Sequence, residues 1–297
     1  MNATTKLSRA RVLALAGAAL ILPSCAKASG IKVGSKNFTE QLLLGEMYAQ
    51  ILEKHGLAVV RRLNLGGTQI AMAALLRGEI DLYPEYTGTA LINELHAPAH
   101  GDAATIYHTV KAYYATHYQL DWLDPAPMND TQALATTQGL ASRYHLRTLS
   151  DLARIAPQLR LGAIPEFTKR EDGLPGLQRA YGGFHFKDVK LFDIGLKYKA
   201  LESGDVDVVV AFGTDGQIEA DRLVVFVDDK HFWPTYQVAP VVRHATLLAH
   251  PPIATQLNAL SPHLTDAVMR SLNFAVDGQK REPADVAREF LSAQHLV

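Results

Sequence analysis

Apolar positions in this chain follow two periods that take turns. Ile31 to Gly34 changes side at each residue, the period of a strand, while Leu42, Leu43, Met47, Ile51 and Leu52 share one face at helical spacing. Asn37 stands three residues before Glu40, the spacing of a capping box, and so predicts the helix start. The pattern continues with a strand over 59–65, a turn at Gly66-Gly67-Thr68, a helix stopped at Arg77-Gly78, and a strand through Leu82 that delivers Tyr83 and Tyr86. A further helix is predicted over 99–119, with Ile106, Val110 and Tyr113 in phase. From Leu159 the alternation begins again: a strand, a turn over 165–175, a helix from about Leu174, and strands over 189–192, 206–212 and 223–227. Helical segments over 253–260, 264–275 and 283–294 close the chain. Strands alternating with helices predict an α/β fold with mainly parallel sheets flanked by helices.

The stretch Leu75–Thr89, LLRGEIDLYPEYTGT, recurs in altered form as Leu201–Asp215, LESGDVDVVVAFGTD. In each, an apolar helix end is stopped by a glycine (Gly78, Gly204), an acid leads into a strand carrying Asp81 or Asp207, and the strand closes on Tyr86 or Phe212. IKVGSKNFT from Ile31 and LRLGAIPEFT from Leu159 repeat in the same way. Two copies of one β-α-β unit predict two lobes whose equivalent strand ends face a cleft. DWLDPAPMNDTQ and HFWPTYQVAPVV, held extended by Pro125, Pro127, Pro234 and Pro240, are the predicted crossovers. Lobe I is then residues 29–130 and 236–297, and lobe II residues 131–235. A paired crossover is a hinge on which rigid lobes close by small rotations.

Composition sharpens this only at the N-terminus. The body is that of a soluble globular protein, 48% apolar and 20% charged with a formal charge of −1, which favours neither nucleic acid nor an anionic membrane surface. Lys6, Arg9 and Arg11 precede an apolar run from Val12 to Leu22 and then small residues, the order of a secretory signal over residues 1–28. Cleavage after Ala28 competes with a lipoprotein site at Cys25. Cys25 is the single cysteine, so no disulfide is expected in the exported body.

Catalytic patterns are missing. The chain has no G-x-S-x-G, H-E-x-x-H, Walker loop or G-x-G-x-x-G, and Pro98 spoils the one closely spaced histidine pair, His96 and His100. Asp228-Asp229 reads as a solvated turn. No enzyme activity, metal or cofactor is expected. Tyr86, Phe212 and Tyr236, at the strand ends and the returning crossover, either fill core or cage a desolvated cation such as a quaternary ammonium. Lys36 and Arg170, in the loop after the first strand of each copy, are either surface charges or an anion clamp beside a helix start. A cation cage with an anion clamp describes a betaine.

GSKNFTEQ, LGGTQ, GEIDLYPEYTGT, EFTKREDGLP and AFGTDG with PTYQVAPVVR, in this order over nearly the whole mature chain, resemble the substrate-binding proteins of quaternary-amine ABC importers, the glycine betaine, choline and carnitine binders. The resemblance implies a two-lobed periplasmic-binding fold of type II, a monomer, and delivery of the ligand to a permease with a partner ATPase. Carried over by position, it implies an aromatic cage at Tyr86, Gln132, Phe212 and Tyr236, carboxylate-binding groups at Lys36, Thr89 and Arg170, and an ammonium contact from a backbone carbonyl near Asp130. Phe212 replaces the usual tyrosine and Gln132 the usual aromatic, and the WLDPAPMND and GTDG stretches look nearest to the branch of the family with incomplete cages. The opened wall leaves room for a larger, aromatic or thiol-bearing betaine; an enzyme or a ligand sensor on the same scaffold are the remaining alternatives.

Overall fold

The computed structural model describes residues 30–98 and 101–297. The expected signal segment and Cys25 lie outside the described residues. Among the described residues ten strands form two sheets. The first contains β1 (Ile31–Gly34), β2 (Val59–Arg62), β3 (Leu82–Tyr86), β4 (Leu120–Trp122) and β10 (Val238–Arg243), in the order β2-β1-β3-β10-β4. The second contains β5 (Gln132–Thr136), β6 (Arg160–Ala163), β7 (Asp188–Leu191), β8 (Val208–Phe212) and β9 (Val224–Val225), in the order β7-β6-β8-β5-β9. The two orders are equivalent strand for strand, which gives the two-lobed periplasmic-binding fold.

The sheets are mixed rather than simply parallel. β10 runs against β3 and β4, and β5 runs against β8 and β9, while the other pairings are parallel. The reversed strands are the two that follow the crossovers. Each enters its sheet from the cleft end, toward which the neighbouring strands point their C-termini, so it has to run the opposite way.

The internal repeat extends to single hydrogen bonds. Asp81 Oδ2 accepts from the Lys32 amide at 2.8 Å, and Asp207 Oδ2 accepts from the Arg160 amide at 2.8 Å. Lys32 Nζ donates to the Gly78 carbonyl and Arg160 Nη2 to the Gly204 carbonyl. Gly78 and Gly204 adopt φ of 69° and 74°, the left-handed region where glycine carries no Cβ penalty. The repeated acid therefore ties a strand start to the helix stop before the next strand. This is the reason the GEID and GDVD stretches look alike.

Apolar clusters cover both faces of each sheet. The helices Asp266–Asp277 and Pro283–Ala293 pack on Thr39–Lys54, so the chain end completes the core of the first sheet. Departures from the sequence pattern fall at edges. β2 stops at Arg62, because β1, its one neighbour among the described residues, ends at Gly34 opposite it. Helices of six or seven residues (Thr87–Asn93, Gln138–Tyr144, Leu149–Ile155, Lys197–Glu202, His244–Ala249) are too short to display a period. The expected Asn37 cap is not made. Helix Thr39–Lys54 starts after Phe38 with no side-chain cap, and Glu40 turns its carboxylate to other partners.

Candidate functional site

The C-terminal ends of β1, β3, β6 and β8 and the two crossovers meet at one cavity of about 150 Å³. All eight sequence-predicted residues line it: Lys36, Tyr86, Thr89, Asp130, Gln132, Arg170, Phe212 and Tyr236. Tyr86 ends β3 and Phe212 ends β8. Gln132 opens β5 directly opposite Phe212 in the ladder. Thr89 lies in the first turn of the helix after β3.

On one side of the cavity stands a guanidinium held from behind. Arg170 Nε donates to Asp172 Oδ1 at 2.7 Å and Nη2 donates to Asp172 Oδ2, a bidentate pair around a carboxylate that is 1% exposed. The Tyr236 hydroxyl donates to the same Oδ2 at 2.7 Å. Burial works against the Arg170 charge, but Asp172 more than offsets it, so Arg170 stays protonated above its ordinary range. Its Nη2 also lies 3.5 Å from the Thr89 hydroxyl, joining the two lobes across the cavity. Among the described residues nothing accepts from Nη1, which leaves a donor for a ligand anion. The Asp172 carbonyl accepts from Gln132 Nε2 at 3.0 Å and from Trp233 Nε1 at 2.8 Å. Gln132 is thereby fixed through its nitrogen, while its Oε1 has no protein donor among the described residues. Asp172 was not singled out from the sequence, although an acid two residues after Arg170 was a readable sign.

Another part of the lining is aromatic. Phe38 stacks with Tyr86 (centroids 6.2 Å, 23°) and with Phe212 (6.4 Å, 8°), so three rings rather than two bound the cavity there. Phe38 went unnoticed in the sequence because a phenylalanine just before a helix reads as core. Each of the equivalent rings also carries a lysine: Lys36 Nζ lies 5.1 Å from the Tyr86 centroid and Lys197 Nζ 4.7 Å from that of Phe212. Both lysines have acid partners. Lys197 pairs with Asp215 at 3.0 Å. Lys36 pairs with Glu85 at 2.5 Å, and Glu85 further accepts from the Tyr83 hydroxyl and the Tyr86 amide. Burial pushes the Lys36 ammonium down from its ordinary range, and Glu85 counters it in part. The anion clamp expected at Lys36 is therefore already half satisfied within the protein.

Below the rings, Thr214 connects two acids. Its hydroxyl lies within hydrogen-bonding reach of Glu40 Oε2 and 2.7 Å from Asp130 Oδ1. Glu40 also accepts from the Tyr86 hydroxyl at 2.8 Å and Asn273 Nδ2 at 3.0 Å. A second chamber of about 260 Å³ adjoins the first and shares Asn37, Phe38, Asp130, Ile194 and Phe212 with it.

Tyr236 owes its position to a glycine. A Cβ on Gly88 would stand 2.7 Å from the Tyr236 ring and 2.9 Å from the Thr235 carbonyl. Gly88→Ala is expected to push Tyr236 off Asp172 and weaken ligand binding about tenfold or more, at a stability cost of about 1–3 kcal/mol for overpacking. Titration calorimetry beside a thermal melt checks both, and unchanged affinity would show that the Tyr236 position does not matter.

Residues 29–293 match the family described as the substrate binding domain of ABC-type glycine betaine transport systems. The glycine-betaine-binding protein of Pseudomonas aeruginosa is 37% identical over 97% of this chain and 95% of its own length. The ergothioneine transport permease/ergothioneine binding protein EgtU of Helicobacter pylori is 37% identical over 94% of this chain, which spans 50% of that relative. The crystal structure of a glycine betaine/carnitine/choline ABC transporter superposes with a TM-score of 0.74 at 32% identity, covering 90% of this chain and 99% of the other. With two equivalent sheets meeting at an aromatic and guanidinium-lined cavity, and with similarity along nearly its whole length, the chain belongs to the family of substrate-binding domains of ABC-type glycine betaine transport systems.

Proposed function

We propose that this protein binds a carboxylated quaternary amine, glycine betaine or a close relative, between its lobes and passes it to a permease with a partner ATPase. The observation that carries this reading is the pairing of an unused Arg170 Nη1 donor with the Tyr86, Phe38 and Phe212 rings in one cavity of about 150 Å³. A ligand with a cationic and an anionic end fits a lining that carries both kinds of group. The trimethylammonium meets ring faces and the Tyr236 edge, where a cation that donates no hydrogen bond is held by quadrupole and dispersion. The carboxylate meets Arg170 and Thr89, with Lys36 nearby. Gln132 supplies a polar wall instead of a ring.

The protein works as a monomer on the outer side of the membrane, exported by its leader, and captures and releases its ligand without turnover. Lobe I comprises residues 29–130 and 236–297 and lobe II residues 131–235, a division supported by the sheet to which each strand belongs. Binding favours closure because Thr89 and Arg170, one from each lobe, reach the same anion.

A second reading is favoured by Gln132 and by the adjoining chamber. A betaine with a heteroaromatic, sulfur-bearing tail, the kind of ligand named for the Helicobacter pylori relative, would place its trimethylammonium among the rings and turn its polar ring toward Gln132 Oε1. Calorimetric titration with glycine betaine, carnitine, choline, ergothioneine and a primary-amine amino acid separates the readings. Saturable binding of the trimethylated compounds with the amino acid silent is expected. Tightest binding by ergothioneine would select the second reading, and a response to the amino acid alone would overturn both.

A further inference from the structure

The unit Glu40-Thr214-Asp130 cannot be satisfied without an extra proton. A hydroxyl has one hydrogen, yet the Thr214 hydroxyl contacts a carboxylate oxygen on each side. It can donate to one of them only. The other acid must bring its own proton and donate to the Thr214 oxygen. Among the described residues no lysine, arginine or histidine forms an ion pair with either acid, and both are buried, at 3% and 6% exposure. Two unpaired carboxylates there would face each other without a counter-charge.

The hydrogen bonds also say which acid holds the proton. Glu40 accepts from the Tyr86 hydroxyl, the Asn273 amide and Thr214, three donors that suit an ionised carboxylate. The Asp130 side chain meets Thr214 alone among the described residues, and it lines both the ligand cavity and the adjoining chamber. The surroundings agree. Lys36, in the loop after β1, is paired with Glu85, and Lys197, on the helix Lys197–Glu202, is paired with Asp215. Arg270, on the helix Asp266–Asp277, donates to the Gly213 carbonyl. Tyr86 from β3 and Tyr198 beside Lys197 are both held in their neutral forms by burial. Burial, and after it the charge of Glu40, raises Asp130 well above the usual carboxylate range.

We infer that Asp130 is a proton-exchanging contact for the ligand's cation: it is a neutral acid before binding and a carboxylate beneath the bound ammonium. The Asp130 O–H bond breaks as the ligand enters, and its proton leaves to the buffer. The Thr214 hydroxyl then donates to whichever carboxylate the cation does not cover. This deepens the betaine reading and rests on it. It makes Asp130 a specificity residue, since a neutral ligand of the same shape would displace no proton. Between the bound and free pKa, each unit of rising pH tightens the ligand by up to about tenfold, and the gain ends above the free pKa.

The test is titration of glycine betaine and choline into wild type, Asp130→Asn and Glu40→Gln at pH about 7, in two buffers of different ionisation heat, repeated over a pH series. Wild type is expected to release up to about one proton per ligand. Asp130→Asn keeps a donor toward Thr214 and should release none, with weakened affinity that stays flat with pH. Glu40→Gln removes the second charge but not the burial, so Asp130 holds its proton less tightly than in wild type; it should release fewer protons at a given pH and bind at least as tightly as wild type. Infrared spectra of the unliganded proteins supply a readout without ligand, a protonated-carboxyl band present in wild type and absent in Asp130→Asn. Binding by wild type with no proton released, or a band that survives Asp130→Asn, overturns the inference and leaves the betaine reading intact. If no trimethylated compound binds, the betaine reading falls, and the cation-exchange role falls with it.

Discussion

Glu85→Ala is expected to lower the stability of the unliganded protein by about 3–5 kcal/mol, the range for removing one partner of a buried ion pair. Glu85 is fully buried and serves three donors: the Lys36 ammonium, the Tyr83 hydroxyl and the Tyr86 amide. Its removal leaves Lys36, itself 3% exposed, without a counter-charge. The loss has a pH signature. Burial already pushes Lys36 down, and without Glu85 it drops further, so the folded variant binds fewer protons at this site than the unfolded chain. Stability then rises with pH wherever the unfolded state holds more protons, and the deficit of Glu85→Ala should shrink as pH increases. Urea unfolding at two pH values measures this. Lys36→Met in the Glu85→Ala background should recover much of the loss, because it removes the stranded charge. A variant as stable as wild type at neutral pH would mean that the pair contributes nothing to holding β3 beside the loop after β1.

The second large effect is on the ligand. Arg170→Ala should weaken glycine betaine by roughly 30-fold or more, in line with the 2–5 kcal/mol typical of truncating a buried, hydrogen-bonded charge, while choline, which has no carboxylate, changes by less than about threefold. The geometry supplies a control. Arg170 also neutralises Asp172, so the single substitution strands a buried acid that would draw on Tyr236 and Gln132. Arg170→Ala with Asp172→Asn removes that acid but keeps an acceptor for the Tyr236 hydroxyl. If the double variant still discriminates betaine from choline as the single one does, the lost interaction is with the carboxylate. Equal losses for both ligands would take Arg170 out of the clamp and make it a support for Tyr236.

What the sequence displayed, and what it hid, follows from how far apart the interacting residues lie. The repeated GEID and GDVD stretches were visible because each encodes local geometry: a helix stop in the left-handed region and an acid that caps the next strand pair. Tyr86, Phe212, Lys36 and Arg170 were readable for the same reason, since equivalent strand ends in two copies must face one cleft. The partners were not. Glu40 and Thr214 come from different lobes, and nothing near Glu40 announces its neighbours; its position instead imitates a capping box that the folded chain does not form. Phe38 was hidden by its ordinariness. Helices of fewer than two turns leave no period, so Lys197, which covers Phe212, had no helix to be placed on.

The two reversed strands set the order in which this molecule can be made. β10 lies between β3 and β4, and it is the last strand in the chain. When a ribosome has finished β1 to β4, the first sheet still lacks the strand that joins its two halves, and β4 has no partner. The second sheet is different: β5 to β9 are contiguous and can assemble as soon as they emerge. Synthesis therefore runs from the first lobe to the second, while folding is expected to run the other way. The lobe that begins the chain waits for residues 238–243 and then for the helices that follow them. Contacts of such long separation are slow to form, so a pulse-labelled refolding chain should protect β5, β6 and β8 before β1 and β3.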